Sequence, residues 1–242
     1  VEDSLSEMFN AKVFTTISCA AGSAGILPVI ASGALSDHDK PVMVFDQNCH
    51  FSMNLIKPIC GDETHVLTCK NNDIDFIEDL CRENRTVAYV SDAAYSMGGF
   101  APINELNRLQ EKYGLILYLD DSHSLSAYGK HGIGDARSAT DDMPDRTIIA
   151  ASLGKAFGAC GGIVVTGKSF LAPLVERFGG PMAWSQCLNP AGVGAVMASI
   201  RIHMSAELEE RQRALRDSID CLEQIVASSN QGSESPIRVV PM

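Results

Sequence analysis

A chain of 242 residues, 45% apolar and 20% charged, is long enough for one large domain or two small ones with a sizeable core. The net charge of −11 argues against nucleic acid or an anionic membrane as the main partner, although backbone dipoles can still hold a small anion. No secretory leader opens the chain and no apolar run reaches the roughly 18 residues of a membrane span, so a cytoplasmic location is expected.

Short apolar runs rich in β-forming residues recur along the chain. They are "VFTTI" from Val13, "VMVF" from Val42, "HVLT" from His65, "TVAYVS" from Thr86, "LILYL" from Leu115, "TIIA" from Thr147 and "GIVVT" from Gly162. Amphipathic stretches lie between them. "DIDFIEDLCREN" has an acidic start and a stripe of Ile74, Ile77, Leu80 and Cys81. "PINELNRLQEKYG" carries Pro102 at its start, Gly114 after its end, and Ile103, Leu106, Leu109 and Tyr113 on one face. Strands alternating with helices predict an α/β fold, a mainly parallel seven-stranded sheet sandwiched by helices. Pro190 to Val226 reads as a long, bent helical region. "SSNQGSES" then reads as a linker, and "PIRVVPM" as the start of a further strand. Residues 1–228 are therefore expected to form a large domain, and 229–242 a linker with the start of a second, truncated one. The chain opens on Val1 and reads as a piece of something longer.

The eight cysteines include no C-x-x-C pair and no Cys/His cluster with zinc spacing, which suits reduced, packed thiols.

Polar groups recur directly after the predicted strands. "ASLGKAFGACGG" places Lys155 among small residues that let a ligand approach the backbone closely, with Ser152 just before it. A desolvated lysine has a lowered pKa and can form a Schiff base with a carbonyl; a lone turn lysine reaching solvent is the plainer alternative. "LYLDDSHSLSAYGKHGIG" delivers Asp120, Asp121 and His123 at the carboxyl end of a strand, where open α/β sheets bind ligands. A capped turn or a metal site are the alternatives there. "DQNCHFSM" brings His50, and "SDAAYSMGGFAPI" brings Asp92 and Ser96, again after strands. If those strands are parallel, all four groups share one sheet edge. A lysine, an Asp-x-x-His pair and a histidine on that edge suit pyridoxal phosphate: the lysine meets its aldehyde, the carboxylate holds its ring nitrogen protonated, and an imidazole covers the ring.

With these motifs the sequence resembles the α-oxoamine synthase family of fold-type I pyridoxal-phosphate enzymes. "DQNCHFSM" is similar to that family's D-x-x-x-H-x-S, and "NND" at Asn71–Asp73 to its H-N-D. The segments around Ser96, His123 and Lys155 match its S-M-x-G, D-(D/E)-(A/S)-H and K-(A/S)-x-G-x-x-G-G patterns. Related aminotransferases commonly have tyrosine where His123 stands. The resemblance implies roles. Lys155 would bind the cofactor aldehyde and act as base at Cα. Asp120 would pair with the pyridine nitrogen, His123 would contact the ring hydroxyl, and His50 would stack on the ring. Asp92 and Ser96 would line the cofactor, and Ser152 its phosphate. The backbone at Cys19 and Ala20 would cradle that phosphate, and Ser185 would reach it from a dimer partner. The implied reaction is a decarboxylating condensation of an amino acid with an acyl-CoA or acyl-carrier-protein thioester, in a homodimer. Transamination, retro-aldol cleavage and a truncated, non-catalytic dimer partner are the alternatives. The chain departs from the pattern at Cys19 and Ala20, where a glycine and an aromatic are usual, at Ser126, where a glycine is usual, and at Asn189-Pro190, where Pro-Pro is common.

Overall fold

The computed structural model describes residues 1–168, 171–180, 187–233 and 235–240. In chain order its elements are α1 (Glu2–Phe9), β1 (Lys12–Thr16), α2 (Cys19–Ala31), β2 (Val42–Asp46), α3 (Phe51–Asn54), α4 (Lys57–Gly61), β3 (Val66–Cys69), α5 (Ile74–Glu83) and β4 (Val87–Asp92). There follow α6 (Ile103–Tyr113), β5 (Ile116–Asp120), α7 (Asp135–Ser138), β6 (Thr147–Ser152), β7 (Gly162–Thr166), α8 (Leu171–Phe178), α9 (Pro190–His203) and α10 (Ala206–Ile225). Every predicted strand from "VFTTI" to "GIVVT" forms.

The strands make one sheet in the order β1-β7-β6-β5-β4-β2-β3. Only β7 runs against its neighbours, β1 and β6; the remaining pairings are parallel. Alternate residues of each central strand enter different cores, as the two-residue period of a strand requires. Leu117, Leu119, Ile149 and Val165 pack with residues of α1, α5, α6 and α9. Ile116, Tyr118, Ile148 and Val164 pack with α2, α4 and α8 on the other face. Full burial of each such apolar side chain contributes about 1.5–3 kcal/mol. This two-faced burial is why these strands read as continuous apolar runs.

The helices stop where local chemistry stops them. Asp73 caps α5 by accepting from the Phe76 N–H, and Gly114 ends α6 in the left-handed region at φ 73°. The expected single helical region after Pro190 is two helices. Met204 ends α9, and the Ser205 side chain accepts from the Glu207 N–H to begin α10. The expected strand in "PIRVVPM" does not form within residues 235–240. Its backbone is bound locally instead: the Ser229 N–H donates to the Val239 carbonyl at 2.8 Å, the Val239 N–H donates to Asn230 Oδ1 at 3.0 Å, and Arg238 pairs with Glu223 at 2.6 Å.

One consequence of the topology positions everything that follows. The carboxyl ends of β1, β2, β4, β5 and β6 and the start of β7 lie on the same sheet edge. The first turn of α2 sits on that edge against Gly162. A Cβ at Gly162 would fall 2.3 Å from the Cys19 nitrogen, so only glycine allows this approach.

Candidate active site

Lys155 follows β6 and its Nζ lies 2.7 Å from His123 Nε2, in the loop after β5. Burial, then the Lys155 charge, pushes the His123 pKa down, so the imidazole is neutral and its Nε2 lone pair accepts from the ammonium. Asp120 and His50 also act on this ring. The lysine and the Asp-x-x-His pair, distant in sequence, are thus one cluster.

Asp120 ends β5 and is buried. Its Oδ1 accepts from the Ser122 N–H at 3.0 Å and its Oδ2 from the Cys19 thiol at 3.4 Å. Burial and the neighbouring carboxylate push the Cys19 thiol up, which keeps it a donor. Asp92 ends β4 directly beside Asp120 in the ladder and is also buried. Its pKa is pushed up to about 8, first by burial and then by the Asp120 charge. Asp92 Oδ1 accepts the His50 N–H at 2.8 Å. Among the described residues no salt bridge reaches either carboxylate. Two carboxylates side by side in a buried site raise each other's cost of ionisation, and a cation between them would relieve it.

His50 caps α3. The Ser52 N–H donates to its Nδ1, which leaves the Nε2–H as the free face of an exposed ring. Ser96 is exposed in the turn closed by the Gly98 N–H on the Tyr95 carbonyl at 3.0 Å. Ser152 ends β6; its N–H donates to Ser122 Oγ at 2.7 Å and its Oγ accepts from the Gly154 N–H at 3.2 Å. Cys19 and Ala20 open α2, behind the Ser18 cap, where the first N–H groups lack intrahelical acceptors and favour an anion. Ser185 lies outside the described residues.

Asp121 belongs elsewhere. It accepts from Ser124 Oγ and from the Ala136 N–H at 3.0 Å, and burial pushes it up to about 8. It therefore organises the loop after β5 and joins no group of three metal-ligating side chains among the described residues.

Two further residues, Ser122 and Asp46, frame the site through contacts that their motifs do not announce. Ser122 accepts from the Ser152 N–H and donates to Cys19 Sγ at 3.8 Å, tying β6, β5 and α2 together. Asp46 gathers donors from the start of α5 and the end of β4 and so anchors the loop that carries His50. A cavity of about 460 Å³, lined by Ala156, Phe157, Ser126 and His203 among others, lies behind the Lys155 turn.

The family model for aminotransferase class I and II matches residues 5–236. An 8-amino-7-oxononanoate synthase of Marinomonas sp. is 33% identical over 195 residues, 80% of this chain and 47% of that protein. A 5-aminolevulinate synthase of Rhizobium meliloti is 33% identical over 202 residues, 78% of this chain and 48% of that protein. The chain spans about half the length of these curated relatives. Among solved structures, the Sphingomonas wittichii serine palmitoyltransferase superposes with a TM-score of 0.81 at 17% identity, over 97% of this chain and 58% of that one. An 8-amino-7-oxononanoate synthase from Francisella tularensis gives 0.75 at 18%, over 98% and 68%. These likenesses show the fold: a fold-type I large domain.

Proposed function

The chain belongs to the aminotransferase class I and II family, and from that premise we propose that it binds pyridoxal 5'-phosphate and condenses an amino acid with an acyl thioester. The observation that carries this reading is the meeting of Lys155, His123 and the paired Asp92 and Asp120 on one sheet edge. The residues present fit the cofactor. The carboxylate pair lacks a cation that a protonated ring nitrogen supplies. The first N–H groups of α2, with Ser152, suit its phosphate, His123 its ring hydroxyl, and His50 its ring face. Ser96 lies at the rim of the same edge.

Bound there, the cofactor supplies a sink for negative charge developing at the amino acid's Cα. Lys155 Nζ would hold the cofactor through its aldehyde and would take the Cα proton. Asp120 would hold the proton of the ring nitrogen, and its two donors, the Ser122 N–H and the Cys19 thiol, fix its orientation. His123 Nε2 accepts a proton from Lys155 or returns it across 2.7 Å. His50 presents an Nε2–H to the incoming acyl group. In the net reaction a bond forms between Cα and the acyl carbon. The carbon–sulfur bond breaks, carbon dioxide leaves, and an α-aminoketone and a free thiol result. The acyl carrier is coenzyme A or an acyl-carrier protein.

Residues 1–228 form the cofactor-binding domain on this reading, and 229–242 lead to a second one. The exposed apolar side chains Ile17, Phe51 and Met97 around the site support burial against a second copy, hence a homodimer, with Ser185 reaching across. A cytoplasmic location suits the reduced cysteines.

The test mixes the chain with pyridoxal phosphate and follows visible absorbance, then adds glycine, alanine or serine with acyl-CoA. The expected result is a visible band, absent in Lys155→Ala, and release of thiol and carbon dioxide only when both substrates are present. Keto-acid formation without acyl-CoA would assign transamination instead. A full spectrum in Lys155→Ala would remove the lysine from its role.

A further inference from the structure

His203, near the end of α9, is buried at 4% exposure and makes contacts with both loops that meet at the Lys155–His123 pair. Its Nδ1 lies 2.8 Å from the Ser199 carbonyl, which only accepts, so Nδ1 carries the hydrogen. Its Nε2 is then an acceptor, and the Ser126 hydroxyl donates to it at 2.8 Å. The ring also lies against Phe157, with centroids 4.6 Å apart and planes inclined by 31°. Ser199 Oγ donates to the Phe157 carbonyl at about the same place. Ser126 belongs to the His123 loop and Phe157 to the Lys155 turn. One imidazole therefore joins the two.

The join is tight and has a local cost. Ser126 sits at φ 74°, a left-handed conformation that favours glycine. Its serine hydroxyl is what His203 holds. Gly132 leaves no slack, since a Cβ there would lie 2.8 Å from Ser126 Cα and 3.0 Å from His203 Cδ2. Gln212 Nε2 donates to the Ser126 carbonyl at 3.0 Å and fixes the same backbone from α10.

We propose that His203 is a positioning residue, which clamps the Ser126 and Phe157 loops together and so sets the Lys155–His123 separation. Its functional meaning rests on the cofactor-binding role assigned above to Lys155 and His123; the clamp itself does not.

The test uses the whole chain, first without cofactor. Proton NMR follows the His123 imidazole, identified with His123→Asn, through a pH titration. Its pKa reports Lys155, Asp120 and His50, the charged and titratable groups that act on it. His203→Leu removes both imidazole hydrogen bonds, and Ser126→Ala removes only the one from α9 to the His123 loop. Both are expected to raise the His123 pKa toward its ordinary value, as Lys155 moves off and water enters. Pyridoxal phosphate affinity, read by absorbance titration, should weaken about tenfold in each. His203→Gln keeps a donor and an acceptor and should recover most of both losses. Unchanged His123 titration and affinity in a folded Ser126→Ala would overturn the proposal, even if His203→Leu fails to fold. A shifted His123 titration in variants of a chain that never binds pyridoxal phosphate would keep the clamp and remove the cofactor reading.

Discussion

Asp46 and Asp120 end parallel strands on the same sheet edge, and both are buried. Asp46 is saturated. Its Oδ2 accepts from the Tyr89 hydroxyl at 2.8 Å, the Tyr95 hydroxyl at 3.1 Å and the Asn72 N–H at 2.8 Å, while Oδ1 accepts from the Asn48 N–H at 2.8 Å and Asn71 Nδ2 at 3.1 Å. Asp120 receives one N–H and one thiol, the latter a weak donor, and faces a second carboxylate, Asp92. A carboxylate whose lone pairs are filled by the protein is a fastener. One left with open lone pairs at a cleft is available to a cation. The distinction separates scaffold from chemistry at one edge of one sheet.

Isosteric substitutions test it from both sides. Asp120→Asn removes the charge that the proposed function assigns to a ligand and, on that reading, is expected to lower condensation turnover by about a hundred- to a thousandfold. Its urea unfolding midpoint should move little, because the amide oxygen still accepts the Ser122 N–H. Asp46→Asn is expected to do the reverse. An amide cannot accept from all five donors, and its own N–H groups face two hydroxyls and two N–H donors. Urea melts should report a loss of about 2–4 kcal/mol, with the residual folded enzyme retaining turnover. Equal stability losses in the two variants would erase the distinction.

A smaller effect tests the open pair through pH. Asp92 and Asp121, both raised to about 8, keep protons that the unfolded chain has released from about pH 4 upward. The native state then binds more protons than the unfolded one, so stability falls as pH rises through that window. His123 and His203, held below the ordinary 6.5, act oppositely but only at lower pH, where the unfolded chain takes up protons first. Above pH 6.5 the carboxylates dominate. The thermal midpoint of the cofactor-free chain should therefore drop between pH 6.5 and pH 8. Asp92→Asn should flatten part of that drop, as should bound pyridoxal phosphate. The Asp121 share should persist in both cases, since its partners are Ser124 and the Ala136 N–H. A drop that neither the substitution nor the cofactor alters would mean that Asp92 ionises normally beside Asp120.

Much of this edge was legible in the sequence. The strands are apolar on both faces, so each stands out as a run, and the polar residue that ends a run marks the edge. Lys155, His123, His50 and Asp92 were all readable in that way. What the sequence concealed has physical reasons. Helix α2 is apolar nearly all round and contains Pro28, so it has no stripe to detect. Ser122 looks like a loop serine until its Oγ is seen accepting from Ser152. Asp46 stands in a recognisable motif, but its demand for donors is met by Tyr89, Tyr95, Asn71 and Asn72, a convergence no local pattern announces. His203 sits in a helix of small and apolar residues, where nothing nearby in the chain signals a partner as distant as Ser126.

Ser126 provides the smallest test, and it asks whether a filled lone pair outweighs a favourable backbone. Replacing it by glycine relieves the left-handed conformation, worth about 1–2 kcal/mol, but adds about 0.5–1 kcal/mol of freedom to the unfolded chain. On backbone grounds alone Ser126→Gly should be neutral or mildly stabilising. The substitution also strips the donor from His203 Nε2, a buried acceptor with no other donor among the described residues. An unsatisfied buried acceptor costs about 1–3 kcal/mol. The expected outcome in urea melts is therefore a net loss of about 1 kcal/mol in the natural background. In a His203→Leu background the acceptor is gone and the same glycine should cost nothing. A coupling of about 1 kcal/mol between the two positions would place Ser126 with Asp46, among groups whose hydrogen bonding is complete and structural. No coupling would mean that the hydroxyl is idle and that the backbone alone governs this turn.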